Sequence, residues 1–169
     1  MSEYKKGDYV HYATSGICFI EDISKLDYSC SDTEFYILKP IAEKSSTVYV
    51  PVENSEMTSK MRKALSKREI DEIIFHSPDK TIEWQRDRKC RGSIFKEIIK
   101  TGECEELLRM ISCILREKLR LEEEGKKLSS ADESFLKTAE GLIDNEFSFA
   151  LDIDENGVGE YIRAKMKNR

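Results

Sequence analysis

The chain has no C-x-x-C pair, no glycine-rich phosphate loop and no G-x-S-x-G, and neither His11 nor His76 has a cysteine or histidine at ligand spacing. These absences remove the usual sequence routes to metal, nucleotide and acyl-transfer chemistry. Glu122-Glu123-Glu124 is the densest carboxylate run, and at a helix end it reads as a solvated face. No enzyme, no metal, no cofactor and no small-molecule substrate are expected. The start, Met1-Ser2-Glu3-Tyr4-Lys5, lacks the apolar run of a secretory signal, and no stretch of 18 apolar residues occurs. The expectation is a cytoplasmic protein with no membrane contact. The five cysteines (Cys18, Cys30, Cys90, Cys104, Cys113) leave one over from any pairing. In a reducing compartment they read as small apolar fillers.

Charge is abundant and unevenly placed. Of 169 residues 36% are charged, above the ordinary quarter or so, and the net charge is −5. From Lys80 to Lys100 seven basic residues face three acidic ones, a net +4. From Asp132 to Glu160 nine acidic residues face one basic, a net −8. A phosphate backbone senses the local patch rather than the whole-chain value.

The first 53 residues predict four short strands: Tyr9–Tyr12, then the turn Ala13-Thr14-Ser15-Gly16, Ile17–Ile23, Glu34–Lys39 and Thr47–Val52. Alternation assigns Val10, Tyr12, Cys18, Ile20, Phe35, Ile37, Val48 and Val50 to one face. Tyr9, His11, Phe19, Glu21, Tyr36, Leu38, Thr47 and Tyr49 fall on the other. Such short strands with tight turns suit a small, strongly bent antiparallel sheet, which binds partners through an edge or face rather than a deep pocket.

After Asn54 the period changes from 2 to 3.6. Residues 55–65 read as a polar linker with scattered methionines. Ser66-Lys67-Arg68-Glu69 is a capping box opening a helix with Ile70, Ile73 and Ile74 inward. Ser77-Pro78 ends it and opens a second helix reaching about Lys100, stopped at Gly102. A third covers about Cys104–Glu124, with Leu107, Leu108, Ile111, Ile114, Leu115 and Leu119 inward. Ser130-Ala131-Asp132-Glu133 reads as a second capping box, opening a fourth helix. A last helix, about Glu160–Lys167, follows Asn156-Gly157. The fold class is α+β, an SH3/Tudor-like small β-barrel followed by an all-α helical bundle. The expected domains are 1–56 and 66–169, with 57–65 between them.

Lys6-Gly7-Asp8-Tyr9-Val10, Ser15-Gly16-Ile17, Glu34-Phe35-Tyr36-Ile37-Leu38-Lys39 and Val48-Tyr49-Val50-Pro51-Val52-Glu53-Asn54, in that order, resemble the CarD/CdnL/TRCF family. The strand-then-helix order resembles CarD proteins over nearly the whole chain. The chain has no room for the motor of the family's repair helicases, so the likeness is to its stand-alone branch. That likeness implies a bacterial transcription regulator whose Tudor-like module docks on the β subunit of RNA polymerase. The family's polymerase contacts fall here at Lys25 or Leu26, by a one-residue choice of alignment, and at Thr47 and Tyr49. Tyr49 stands where the family often has an arginine.

Trp84-Gln85-Arg86-Asp87-Arg88-Lys89-Cys90-Arg91 admits two readings. On a helical wheel Trp84, Arg91, Phe95 and Ile98 share a stripe, so Trp84 can simply continue the core, with the basic residues as a solvated flank. A stripe that also holds Arg88 and Arg91 is an awkward core, and an aromatic among guanidinium groups suits nucleic acid. In the CarD family a tryptophan at this place enters the minor groove at the upstream edge of the transcription bubble. The resemblance carries that role to Trp84, with Arg86 and Lys89 on phosphates. Arg88 and Arg91 are further basic candidates of this chain's own. Glu133 stands where DNA-binding relatives often have a lysine, with Lys126 and Lys127 near. Promoter DNA binding is expected to be weak and polymerase-dependent. The rival reading is a protein-interaction adaptor without DNA contact.

Overall fold

The structure is a computed structural model and describes residues 3–27, 32–77 and 80–168. It divides into two compact units, Met1–Ala64 and Leu65–Arg169. Cys30 and Pro78 lie outside the described residues, and with them the expected helix start at Pro78.

The first unit is a curled antiparallel half-barrel of strands β1 (Tyr9–Tyr12), β2 (Gly16–Lys25), β3 (Glu34–Pro40), β4 (Val48–Pro51) and β5 (Met61–Lys63), in the order β4-β3-β2-β1-β5. A single 3-10 turn, Ala13–Ser15, joins β1 to β2, and the chain leaves it at Gly16 with φ 69° and ψ −146°. A side chain there would be strained, so glycine fits. The β2–β3 register passes from Ile20↔Leu38 to Asp22↔Ile37, leaving Glu21 as an extra residue. Such a bulge bends the strand and helps curl the sheet.

That register corrects the face expected for β3. Directly paired residues share a face, so Leu38 goes inward with Ile20, and Tyr36 with Val50. Tyr36, Leu38 and Val50 are buried with Val10, Cys18 and Ile20, while Phe35 and Ile37 lie on the partly exposed side. Glu34-Phe35-Tyr36-Ile37-Leu38 is apolar at both parities, so its phase does not show in the sequence.

The segment expected as a linker also belongs to this unit. Asn54 caps a one-turn helix, α1 (Ser55–Thr58), its side chain accepting from the Met57 amide. β5 then pairs with β1, Tyr12↔Met61, and Tyr4 Oη donates to the Met61 carbonyl at 3.1 Å. Met61 is buried among the barrel's apolar residues. A three-residue strand is too short for alternation to reveal.

Among the described residues the second unit has five α-helices: α2 (Lys67–His76), α3 (Arg88–Thr101), α4 (Cys104–Glu123), α5 (Ser130–Leu151) and α6 (Glu155–Lys167). The Ser66–Glu69 capping box forms. The second predicted helix starts much later, because Asp87 caps α3 by accepting from the Cys90 amide at 2.6 Å. Residues 81–85 are neither helix nor strand. Ser129, rather than Ser130, caps α5: its hydroxyl accepts from the Asp132 amide at 3.2 Å and donates to the Asp132 carboxylate at 2.6 Å. α6 begins at Glu155 behind the Asp154 cap and takes Asn156-Gly157 into its first turn. On α4 Leu115 and Leu119 are exposed, and Met110 and Cys113 are buried in their stead.

The core joins Ile70, Ile74, Phe95, Leu107, Ile143 and Phe147, among others. Burying each such side chain stabilises by about 1.5–3 kcal/mol. One carboxylate lies within it: Glu146 accepts from the Leu65 amide at 3.2 Å and from the Cys104 thiol at 3.1 Å. Its hydrogen bonds offset the cost of burying a polar group. Among the described residues no helix is long and apolar enough to cross a membrane.

Candidate functional site

Trp84 does not sit on a helix. It lies in the extended segment before α3, so the wheel that placed it over Arg91 and Phe95 does not apply. The neighbours meet all the same, because the segment folds back along α3. The indole packs on Phe95, ring centroids 6.3 Å apart, and Phe95 packs edge-on against Phe135 at 5.6 Å. Trp84 is thus half-buried, combining parts of both sequence readings. It lines a groove of about 860 Å³ with Arg86, Arg88, Arg120, Lys126 and Lys127.

The four basic candidates separate into two kinds. Arg86, Arg88 and Lys89 are exposed around the start of α3, and none pairs with a carboxylate among the described residues. Exposed, unpaired cations at a groove mouth are what a phosphate backbone would meet. Arg91 is a correction. It is buried, and its Nε and Nη2 form a two-pronged bond to Asp132 at 2.9 and 2.8 Å. Its charge is paired inside the protein rather than exposed at the groove, unlike the flank expected from the sequence. Burial pushes the Asp132 carboxyl up, but hydrogen bonds from Arg91 and Ser129 outweigh it and hold the group below the usual carboxylate range.

The far wall of the groove is partly neutralised. Arg120 bonds to Glu117 at 2.7 Å and to Glu124 at 2.5 Å, and Lys126 bonds to Glu124 at 2.7 Å. The hydrogen bond from Arg120 is the main reason that the Glu117 carboxyl is held low. Lys127 is exposed and pairs with no carboxylate among the described residues. Glu133 is exposed on the first turn of α5. Sequence reasoning missed Asp132 and Arg120 as groove residues. Asp132 shows only as a capping residue, and nothing in the sequence marks a partner 41 positions away.

The partner-facing candidates sit on the half-barrel. β4 and β5 form the two edges of the sheet. Tyr49, on β4, pairs with Ile37 and is 40% exposed on the outer face. Tyr9, 45% exposed, stacks at a tilt on Phe19 with centroids 5.2 Å apart on that face. Thr47 precedes β4, and its hydroxyl accepts from Lys39 Nζ at 2.6 Å. Lys25 ends β2 and pairs with Asp32 at 2.8 Å, and half-buried Leu26 follows it. β3 lies between this hairpin end and β4, so the four residues do not form one cluster.

Residues 4–65 match the profile of the CarD-like/TRCF RID domain. That span runs from Tyr4, which bonds to β5, past the end of β5 itself, so it covers the whole half-barrel. No curated protein matches the chain. RID domains interact with RNA polymerase, which gives the chain a transcription-related role at the level of the family. The N-terminal unit, over residues 4–65, is a CarD-like/TRCF RID domain.

Proposed function

We propose that this protein is a cytoplasmic regulator of transcription that binds the RNA polymerase β subunit through residues 1–64 and promoter DNA through residues 65–169. The β4 edge would supply backbone pairing to the polymerase, with Tyr49 and Thr47 beside it and Lys25 or Leu26 at the hairpin end. Strand pairing tolerates side-chain change, so tyrosine in place of a familial arginine is compatible with it. Trp84 would contact the upstream edge of the bubble, and Arg86, Arg88 and Lys89 would hold phosphates.

The observation that carries the DNA reading is a half-exposed indole at a groove whose nearest exposed cations have no carboxylate partners. A wedge that fits unstacked DNA better than duplex shifts the closed–open balance by its difference in affinity. One stacked aromatic supplies about 1–3 kcal/mol. No catalytic step is part of this reading, and no cofactor is needed for it.

The test is the lifetime of promoter open complexes formed by polymerase with the full chain. Trp84→Ala should shorten that lifetime relative to the unaltered chain while β-subunit capture persists. Because the indole is half-buried, the same change should cost about 1–2 kcal/mol of stability, between the exposed and core limits. Intact β-subunit capture with unchanged promoter kinetics and no DNA crosslink would leave an adaptor.

A further inference from the structure

Residues 81–85 make no ladder or helix, yet two guanidinium groups hold them. Arg116 Nη2, from α4, donates to the Ile82 carbonyl at 3.1 Å. Arg91 Nη1, from α3, donates to the Gln85 carbonyl at 2.6 Å and to that of Arg86 at 3.4 Å. The Arg91 Cζ also lies 4.2 Å from the centroid of the Trp84 ring. One side chain therefore covers the indole and bonds the backbone just after it, while Asp132 fixes that side chain from α5. Asp132 is itself fixed: Ser129 Oγ donates to its Oδ2 at 2.6 Å, and the first turn of α5 favours a negative charge.

We propose that the Arg91–Asp132 pair is the positioning device for Trp84, acting on the ligand only through the indole. This deepens the DNA reading above and rests on it for one readout only. One flat guanidinium makes four hydrogen bonds, two to Asp132 and one each to the Gln85 and Arg86 carbonyls, which a lysine's point charge cannot reproduce. Arg91 cannot serve as a phosphate ligand as it stands. Turning outward would leave Asp132, 4% exposed, as a buried charge without its bonded counter-charge. A recognition aromatic on an irregular segment gains from such a support, because holding it in its binding pose removes an ordering cost from association.

Trp84 is the single tryptophan of the chain, so intrinsic fluorescence reports on this side chain and nothing else. The variants are Arg91→Lys, which keeps the charge and loses the fork, and Asp132→Asn, which keeps the volume and loses the charge. Each is measured in the full chain well below its melting transition, with unchanged far-ultraviolet dichroism as the check on folding. Emission should move to longer wavelength, and the acrylamide quenching constant should rise about twofold as the indole loses its cover. With polymerase and promoter, Arg91→Lys should move open-complex lifetime in the same direction as Trp84→Ala. The double variant should do no more than Trp84→Ala alone.

Quenching equal to that of the unaltered chain in both folded variants would overturn the proposal. So would effects of Arg91→Lys and Trp84→Ala that multiply, since Arg91 would then act on DNA by itself. Should Trp84→Ala leave promoter kinetics unchanged, the DNA reading fails, and the quenching result still decides whether the pair positions the indole.

Discussion

Tyr49 and Trp84 are both half-exposed aromatics at candidate interfaces, one on each unit, and they are held in place by different means. Tyr49 stands on β4, where pairing with Ile37 sets its direction through the backbone ladder. Trp84 stands on a segment with no such ladder, and side chains from α3 and α4 hold it. Regular structure aims a side chain as a consequence of folding. An irregular segment needs residues dedicated to the task, and those residues are then unavailable for binding, as Arg91 is.

The largest expected effects test whether the two units unfold independently. Phe147 is fully buried in the helical unit and Leu38 in the half-barrel. Phe147→Ala should cost about 3–5 kcal/mol and Leu38→Ala about 2–5 kcal/mol. Trp84 emission follows only the helical unit, whereas six of the seven tyrosines (Tyr161 is the exception) fall within the sequence of the first unit. Thermal melts read by the two signals should show each variant lowering its own transition. Equal shifts of both signals by Leu38→Ala would show a single cooperative body and break the comparison.

The same contrast explains what could be read from the sequence. The half-barrel's first strands, its turn at Gly16 and its family likeness were legible, because alternation and turn residues are local signals. The parity of β3 was not, since Phe35, Tyr36, Ile37 and Leu38 are apolar on both faces. β5 was too short to carry a pattern. In the helical unit the capping residues Ser66 and Gly102 were legible, and the start of α3 was not, because Asp87 competes with Ser77 as a cap and only tertiary context chooses. Arg91 shows most clearly where sequence reading stops. Its residue type and neighbours suit phosphate, and only Asp132, distant in the chain and near in space, removes it from the surface.

Binding should separate the units by salt. Contacts made through β4 and the outer-face aromatics involve few charges, so capture of the β subunit should change little with ionic strength. The DNA contribution should fall steeply, and Arg86→Ala, Arg88→Ala and Lys89→Ala should each reduce the salt slope by about 1. Arg91→Lys should leave the slope unchanged, because its charge is retained and already paired with Asp132. The pair Arg91→Gln with Asp132→Asn, which removes both charges, should also leave the slope unchanged, and a loss of slope there would return Arg91 to the phosphate contacts. Polymerase capture that weakens as steeply with salt as the DNA contribution would mean that the half-barrel binds through its charges, for instance Lys25, rather than through the strand edge.

The smallest effect separates the units by pH. Burial, then the charges of Glu140 and Glu155, push the Asp144 carboxyl up to about 6 in the helical unit. In the half-barrel a hydrogen bond from Lys6 leads the causes that hold the Asp22 carboxyl below its ordinary value. The signs are opposite. Unfolded, Asp144 loses its proton near an ordinary pKa of about 3.9, whereas folded it keeps the proton until about pH 6. Between those values the folded state binds more protons, so the Asp144 contribution favours folding in acid and is lost as pH rises through about 6. Asp22 contributes above its unfolded pKa, and that contribution is lost only as pH falls below it. Asp144→Asn should therefore stabilise the helical unit at neutral pH, by on the order of 1 kcal/mol, and do nothing near pH 4. Melting followed by Trp84 emission from pH 4 to 7 reads this directly, with the tyrosine signal of the half-barrel as the internal reference. A variant whose gain is the same at both ends of that range would show that Asp144 is ionised throughout, and that its two acidic neighbours and its burial leave its proton unaffected.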